Sequence, residues 1–265
     1  MKHFSLYPKI LTQSARFVFF VTTIFMMTAT CYANDLVLHL TFDELRGDVA
    51  EDISKFGNDA TFQGDVELIT GKFGKALEFD GASWGEIPDN DSLDMVDGIT
   101  IHFWTNIRPS AGGPGSDVQT GVEKGTTWKA GLYTLAAWYR GGSLLQFFDL
   151  PDNCREQNIG DSIQDEKWHH LAGTWDGTTI KLFIDGELNK ELDCKGTLTG
   201  NNEPLFIGAR GGNQRFINGA LDEIKMYNYP LTEDELRVDM ENPQAASVLP
   251  QDKLTTTWAT IKQGN

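Results

Sequence analysis

Short strand signals recur along this chain between clusters of Gly, Asp and Asn, and a 3.6-residue apolar period is almost absent until the end. A chain patterned this way buries its core between sheets, not between helices. The clearest segment is Ile99–Ile107, where Ile99, Ile101, Phe103 and Ile107 fall on one face and Thr100, His102, Trp104 and Asn106 on the other. That alternation makes one face of the strand core. Further strands read at 36–42, 76–79, 131–138, 144–148, 170–175, 179–184, 187–192, 204–207 and 219–227. Asp176-Gly177 and Asp185-Gly186 supply the positive-φ residues that tight hairpins require. So many short antiparallel strands in 265 residues predict one all-β sandwich or jelly roll over residues 34–240.

The ends of the chain differ from this middle. Lys2, Lys9 and Arg16 precede an apolar run from Phe17 to Met27, and small and polar residues follow up to Ala33. Residues 1–33 therefore read as a secretory signal peptide cleaved after Ala33, with an uncleaved N-terminal anchor as the alternative. No other stretch approaches the roughly 20 apolar residues of a spanning helix, so the mature chain is expected to have no membrane span. Near the other end, Thr232-Glu233-Asp234-Glu235 is a capping box that predicts a single helical turn. Residues 241–265 then read as a linker and short tail that packs back on the sheet or ends in a partner.

Loss of the first 33 residues leaves 19 Lys and Arg against 38 Asp and Glu, a net charge of −19. Nucleic acid is excluded as a partner on that balance, because neutralising phosphates requires clustered basic residues. Cys31 departs with the same segment, leaving Cys154 and Cys194 as an even pair in a chain bound for an oxidising compartment. A disulfide is expected, and two buried free thiols are the alternative. The location implied is secreted, periplasmic or cell-surface.

Four segments, in order, resemble the laminin-G-like jelly-roll family of the concanavalin A-like type, found in secreted bacterial proteins. They are Leu40-Thr41-Phe42-Asp43-Glu44 with Asp52-Ile53-Ser54 and Gly57-Asn58-Asp59; the run from Gly71 to Gly81; Trp168 to Gly177 leading into Leu182 to Gly186; and Gly219 to Tyr227 followed by Leu231-Thr232 and Glu235. The resemblance implies a concanavalin A-like antiparallel jelly-roll sandwich. It also implies a structural Ca2+ held by Asp43, Asp52, Asn58 and Asp222, since calcium takes six to eight hard oxygen ligands. Here Lys55-Phe56 is inserted before Gly57-Asn58, a departure in the loop that carries two of those ligands. The alternative is that Asp43 and Asp222 are ordinary turn and edge carboxylates.

The same fold carries polysaccharide-cleaving enzymes, so catalysis needs a direct test. Laminarinase relatives use Glu-x-Asp-x-x-Glu on one strand, placing two carboxylates about 5 Å apart. Glu191-Leu192-Asp193 is the nearest match, but Gly196 stands where the second Glu is needed. His170 lacks a sequence-adjacent nucleophile or carboxylate and reads as structural. For ligand recognition the candidates are Trp84, Trp128, Trp138, Tyr139 and Arg140, with the loop Arg210-Gly211-Gly212-Asn213-Gln214-Arg215. Aromatic faces stack on pyranose rings and Arg or Asn reads hydroxyls, whereas each Trp could equally be core. Together these readings describe a secreted, non-catalytic module that binds carbohydrate or an extracellular protein. The alternatives are a glycoside hydrolase or lyase of the same fold and a structural or adhesive surface protein.

Overall fold

The computed structural model describes residue 1 and residues 34–155 and 157–246. The expected signal peptide and most of the expected tail lie outside the described residues. In chain order the strands are β1 (Leu36–Leu40), β2 (Val49–Ala50), β3 (Ala60–Gln63), β4 (Val66–Thr70), β5 (Lys75–Asp80), β6 (Trp84–Ile87), β7 (Ile99–Ile107) and β8 (Val118–Lys124). They continue as β9 (Tyr133–Tyr139), β10 (Gly142–Phe147), β11 (His169–Trp175), β12 (Thr179–Ile184), β13 (Glu187–Asp193), β14 (Leu205–Ile207) and β15 (Asn218–Tyr227). The helices are α1 (Asp152–Arg155), α2 (Glu233–Glu241) and α3 (Pro243–Ala246).

These strands form two antiparallel sheets. The first runs β13-β12-β11-β7-β15-β5-β4, with β1 added beside β15, and the second runs β10-β9-β8-β14-β6-β3-β2. Their inner faces share one core. Ile101, Phe103, Leu171, Leu182, Leu221 and Met226 from the first meet Phe62, Ile87, Leu135, Leu145, Phe147 and Ile207 from the second. The alternation expected in β7 is present, and the jelly-roll sandwich is the fold. Asp185 (φ 54°) and Gly186 (φ 79°) make the two-residue turn between β12 and β13, as the Asp-Gly pair requires.

Five strands carry weaker sequence signals, namely β2, β3, β4, β6 and β8. The seven residues of β8, Val-Gln-Thr-Gly-Val-Glu-Lys, are all buried although four of them are polar or charged. Nothing local marks such a strand, because the partners of Gln119, Glu123 and Lys124 are remote in sequence.

The central strand β15 changes neighbour along one edge. Asn218 to Leu221 pair with Asp80 to Leu77 of β5, whereas Ile224 to Tyr227 pair with residues 40–36 of β1. Its pairing with β7 slips between Asp222 and Lys225, and Glu223 there adopts φ 49°. A non-glycine residue in that region is held by its surroundings and not by its own preference. The bulge places the Asp222 and Glu223 carboxyls at the junction of three strands.

The outer face of the first sheet is closed by α2, which corrects the single turn expected at Thr232: the helix runs nine residues. The capping box starts it, with Thr232 and Glu235 bonding each other's backbone N–H. What carries it further is tertiary. Leu236 packs on Ala172, Phe183 and Tyr227, and one turn on, Asp239 enters a buried polar cluster. Its carboxylate accepts from Tyr227 Oη at 2.5 Å, lies 3.0 Å from His102 Nε2 and pairs with Lys225 Nζ. His170 Nε2 lies 3.1 Å from His102 Nδ1, so the two buried rings are linked in series. Burial, with His102 close by, holds the His170 imidazole well below the ordinary histidine range and keeps it neutral. Lys225 also donates to the Pro243 carbonyl at 2.6 Å, tying α3 to the sheet. His170 thus lies wholly buried, linked to Asp239 through His102.

Removing one partner of a buried ion pair costs about 3–5 kcal/mol, because the other charge stays buried alone. Asp239→Ala is expected to lower the unfolding free energy by about that amount and Asp239→Asn by less, checked by urea denaturation.

Candidate functional site

The outer face of the second sheet is not closed by a helix. Three loops overhang it instead: 125–132 between β8 and β9, 148–168 between β10 and β11, and 208–217 between β14 and β15. The last is a hairpin in which Arg210 N donates to Gln214 O at 2.9 Å and Asn213 N to Arg210 O at 3.2 Å. A Cβ on Gly212 would stand 2.6 Å from the Trp84 indole, so glycine lets the hairpin settle on that ring, which in turn contacts Phe206 at 5.7 Å. Arg215 holds φ 58° while its N donates to Pro114 O at 3.1 Å and its O accepts from Thr120 N at 3.0 Å.

Beneath these loops, Glu123 of β8, Thr134 of β9 and Gln146 of β10 stand on one cross-strand row. The Glu123 side chain is 0% exposed and its Oε1 is paired with Arg210 Nε, whose side chain is 7% exposed. Burial pushes the Glu123 carboxyl above the usual carboxylate range, against the pull of Arg210. Arg215 is close enough that burial and the Arg210 charge lower its own affinity for a proton. The Trp128 ring lies over the group, with the Arg210 guanidinium 5.8 Å and the Arg155 guanidinium 5.5 Å from its centroid, within cation–π range.

Several buried polar atoms here meet no hydrogen-bond partner in the protein: Glu123 Oε2, Arg210 Nη2, Arg215 Nη1 and Thr134 Oγ1. An unsatisfied buried group costs about 1–3 kcal/mol, and such groups are few in folded proteins. All four atoms are shut off from solvent, and Glu123 and Thr134 face each other across β8 and β9.

The sequence-predicted ligand residues divide accordingly. Trp128 and Arg210 come together over Glu123, while Arg215 belongs to the same hairpin as Arg210, which rests on Trp84. Trp138 packs on the main core instead. Arg140 is exposed in the turn between β9 and β10, with φ 47° and its Nε 2.9 Å from Asp117 Oδ2. Asn213 is exposed at the hairpin tip, where its Oδ1 accepts from Gln214 Nε2 at 3.4 Å. Sequence reasoning missed Glu123, Thr134 and Arg155. The one available signal was a Glu in alternation with Val122 and Lys124, and only Arg210, 87 residues away, gives it meaning.

The four residues expected at calcium fall into two pairs. Asp222 Oδ2 accepts from Phe73 N at 2.9 Å and Asp43 Oδ1 from Lys75 N at 3.0 Å, so both reach the turn of residues 71–75. A Cβ on Gly71 would lie 2.6 Å from Asp222 Oδ2, and one on Gly74 1.9 Å from Asp43 Oδ1; this close approach requires glycine at both. Asp222 Oδ1 is buried without a partner, and burial raises its carboxyl to about 7. Glu223 is likewise raised to about 7 by burial and contacts His39 Nε2 at 2.5 Å, while burial and Lys225 lower His39 to about 3.

Asp52 and Asn58 serve another purpose. The Asp52 carboxylate accepts from the N–H groups of His39, Ser54 and Asn58 and from Ser54 Oγ, and Asn58 Nδ2 donates to Val37 O at 2.8 Å. Together they fasten the 52–58 loop to β1. Among the described residues no three His, Cys, Asp or Glu side chains converge on one metal-sized position.

Cys154 and Cys194 are joined as a disulfide, with Cα atoms 5.9 Å apart. It fixes α1, and so the adjacent Arg155, against the segment after β13, where Trp175 Nε1 donates to Cys194 O at 3.0 Å. With a sequence separation of 40 between the cysteines, closure of that loop restricts the unfolded chain by about 4 kcal/mol in the chain-entropy model. Cys154→Ser with Cys194→Ser is expected to lose up to that amount in urea denaturation, with the loss concentrated around the 148–168 loop in hydrogen exchange.

Comparison with known proteins places this geometry. The laminin-G model of the concanavalin A-like lectin/glucanases superfamily matches residues 79–237, more than half of the chain. Pappalysin-1 of Mus musculus is 25% identical over 191 residues, 64% of this chain and 12% of that protein. Pappalysin-1 of Homo sapiens is 24% identical over 184 residues, 63% of this chain and 11% of that protein. The chain therefore spans about 12% of the length of these curated relatives. Among solved structures, domain 4 of a GH43 extracellular arabinanase from Geobacillus stearothermophilus, in complex with arabinotriose, matches with TM-score 0.60 and 20% identity, covering 78% of this chain and 98% of that domain. The binding domain of botulinum neurotoxin DC, in complex with SialylT, matches with TM-score 0.58 and 14% identity over 79% of this chain and 52% of that one. The same domain with rat synaptotagmin II matches with TM-score 0.59, 14% identity and the same coverage. At these identities the structural likeness is one of fold.

Proposed function

The chain belongs to the laminin-G family of the concanavalin A-like lectin/glucanases superfamily, and from that premise we propose that it is a non-catalytic binding module whose ligand is a carbohydrate. The observation that carries this reading is the outer face of the second sheet under the three loops, where the Glu123–Arg210 pair keeps unpartnered polar atoms beneath the half-buried Trp128 ring. A sugar offers what such a surface lacks: hydroxyls that donate and accept, and a C–H face that stacks on an aromatic ring. The fold likeness to domains solved with arabinotriose and with SialylT supports a saccharide ligand. A protein ligand, as in the complex with synaptotagmin II, is the competing occupant.

Non-catalytic action is part of the same proposal. Glu123 is held in an ion pair with Arg210, and Glu86, the other carboxylate on its row, stands two strands away across Phe206. Two strand spacings of about 4.8 Å exceed the about 5 Å of retaining hydrolysis and reach the outer limit of the roughly 6.5–9.5 Å of inverting hydrolysis, for which Glu123 is in any case tied up by Arg210. Isothermal titration against neutral and acidic oligosaccharides tests binding, with incubation of the same sugars as the check for cleavage. Trp128→Ala is expected to weaken the strongest sugar by on the order of tenfold; cleavage products, or retention of full affinity in the variant, would overturn the reading.

Export and a structural calcium ion complete the proposal. The disulfide favours an oxidising compartment. Among the described residues no helix is long and apolar enough to cross a membrane. For calcium, Asp222 with its orphaned Oδ1 and Asp43 on the same turn fit a hard cation, with carbonyl oxygens and waters to complete the shell. Asp52 is already engaged by the N–H groups of His39, Ser54 and Asn58, while Asn58 Nδ2 donates to Val37 O and Ser92 Oγ. Bound there, the ion would let Asp222 ionise within the fold. Millimolar Ca2+ is expected to raise the melting temperature of the native protein by several degrees and to leave Asp222→Asn unchanged. An equal rise in both, or none in either, argues against the site.

A further inference from the structure

We propose that α2 and α3 form an acid-released clasp on the first sheet, docked near neutral pH and detached in mildly acidic solution while the sandwich stays folded. The clasp is separable because it owns almost no part of the core. Leu236 and Asp239 are the buried residues of α2, and Leu236 packs with Ala172, Phe183 and Tyr227 in a cluster distinct from the main core between the sheets. The sheet beneath is complete without the helix, since β7 is bonded to β11 on one side and β15 on the other. What the helix covers is largely polar: His102 of β7, His170 of β11, and Lys225 and Tyr227 of β15, all buried. Such groups lose little on meeting water, so docking rests on the Asp239 contacts and on one leucine. Release uncovers the outer face of the first sheet around Tyr227 and Phe183.

The charges at the contact explain why acid opens it. Asp239 Oδ2 lies 3.0 Å from His102 Nε2 and 2.5 Å from Tyr227 Oη, and its Oδ1 is paired with Lys225. His102 Nδ1 lies 3.1 Å from His170 Nε2, and His170 Nδ1 is buried with no partner. With both rings neutral, His102 donates to Asp239 and accepts from His170, and the lysine and the carboxylate cancel. A proton added to either ring sets two cations against one carboxylate in a layer closed to solvent. The other carboxylates nearby are engaged: Glu223 with His39 and Gln244, Asp185 with His169 and the His170 backbone N–H, Glu235 with the Thr232 cap. Lys72, over the Trp104 ring that borders His170, adds only positive charge. Once α2 lifts, water reaches the rings and they titrate as ordinary histidines, near about 6.5. Burial and the adjacent His102 hold His170 well below that value while docked. Its neutral form therefore favours docking above about 6.5, and the docking equilibrium falls by up to about tenfold per pH unit below it. Asp239 does not oppose this. Against burial, the bonds from His102 and Lys225 hold its carboxyl below the ordinary range, so it stays ionised.

Hydrogen exchange of the full protein at about pH 7.5 and about pH 5, each corrected for intrinsic exchange, tests the clasp. Amides of residues 236–241 are expected to lose at least about tenfold in protection at the lower pH, while those of β7 and β9 stay protected. His102→Gln with His170→Gln places amides that take no proton at both positions, and is expected to hold α2 equally at the two pH values. His169→Gln, a ring outside the clasp bonded to Asp165 and Asp185, is expected to release α2 as the native protein does. Thermal melts at the higher pH show which variants are folded; if the double variant is not, His170→Gln is measured in its place and is expected to reduce the loss at least about threefold. Equal protection of α2 at both pH values in the native protein overturns the proposal. So does a loss shared by all strands, which is global unfolding, and so does a loss in α2 that persists undiminished in the histidine variant.

Discussion

The structure turns on a change of partner along β15. This strand is bonded to β7 along one edge, while its other edge is shared between β5 and β1. At the crossover the ladder slips by a residue, and two carboxylates, Asp222 and Glu223, are delivered into the interior. Carboxylates do not stay buried without partners, so the surroundings are shaped to receive them. Gly71 and Gly74 allow a turn to approach Asp222 and Asp43, and His39 of β1 meets Glu223. In this way the first strand, the fifth and the last are tied at one point. Contacts of such long sequence separation hold a sandwich together more than any local signal does.

The same strand organises the face beyond it. Lys225 and Tyr227 point out of the first sheet beside His102 and His170, making a polar patch that a sandwich would ordinarily leave wet. Asp239 of α2 closes that patch, and Leu236 one turn earlier supplies the apolar anchor. A helix of low intrinsic hydrophobicity is thereby held by a buried charge cluster. On the other side of the domain, loops rather than a helix cover the outer face of the second sheet, and β8, β9 and β10 are buried beneath them almost throughout. Loops on a rigid scaffold are where recognition is commonly placed. Here the disulfide fixes one of them, a glycine hairpin resting on Trp84 fixes another, and the polar groups underneath remain incompletely satisfied.

How far the residues alone led can be judged from particular cases. Ile99–Ile107 and Thr179–Ile184 match the expected strands because the apolar period and the Asp-Gly turns are local properties. Cys154 and Cys194 were an even pair before their geometry was known, and Trp128, Arg210 and Arg215 were candidate ligands on chemistry alone. Arg140 and Trp138 have the same chemistry and different fates, one spent on a hairpin turn and the other on the core. Asp52 and Asn58, chosen as oxygen ligands, are also what fastens the 52–58 loop to β1. Glu123 was invisible, because a lone glutamate in a polar strand carries no local sign of being buried.

What the sequence determined by itself is everything set by short-range pattern: an all-β chain, its hairpins, the alternation that puts one face of β7 inward, and the cap that starts α2. Those features follow from backbone sterics and from the period of two in a strand, which operate over a few residues. The tertiary structure alone decided which charges are buried, which aromatic rings are surface, and which face the loops cover. Those outcomes depend on pairs such as Glu123 with Arg210, Lys225 with Asp239 and Asp222 with the 71–75 turn. Electrostatic and hydrogen-bond energies in a low-dielectric interior belong to the pair in place, and neither partner reveals them until the fold has brought the two together.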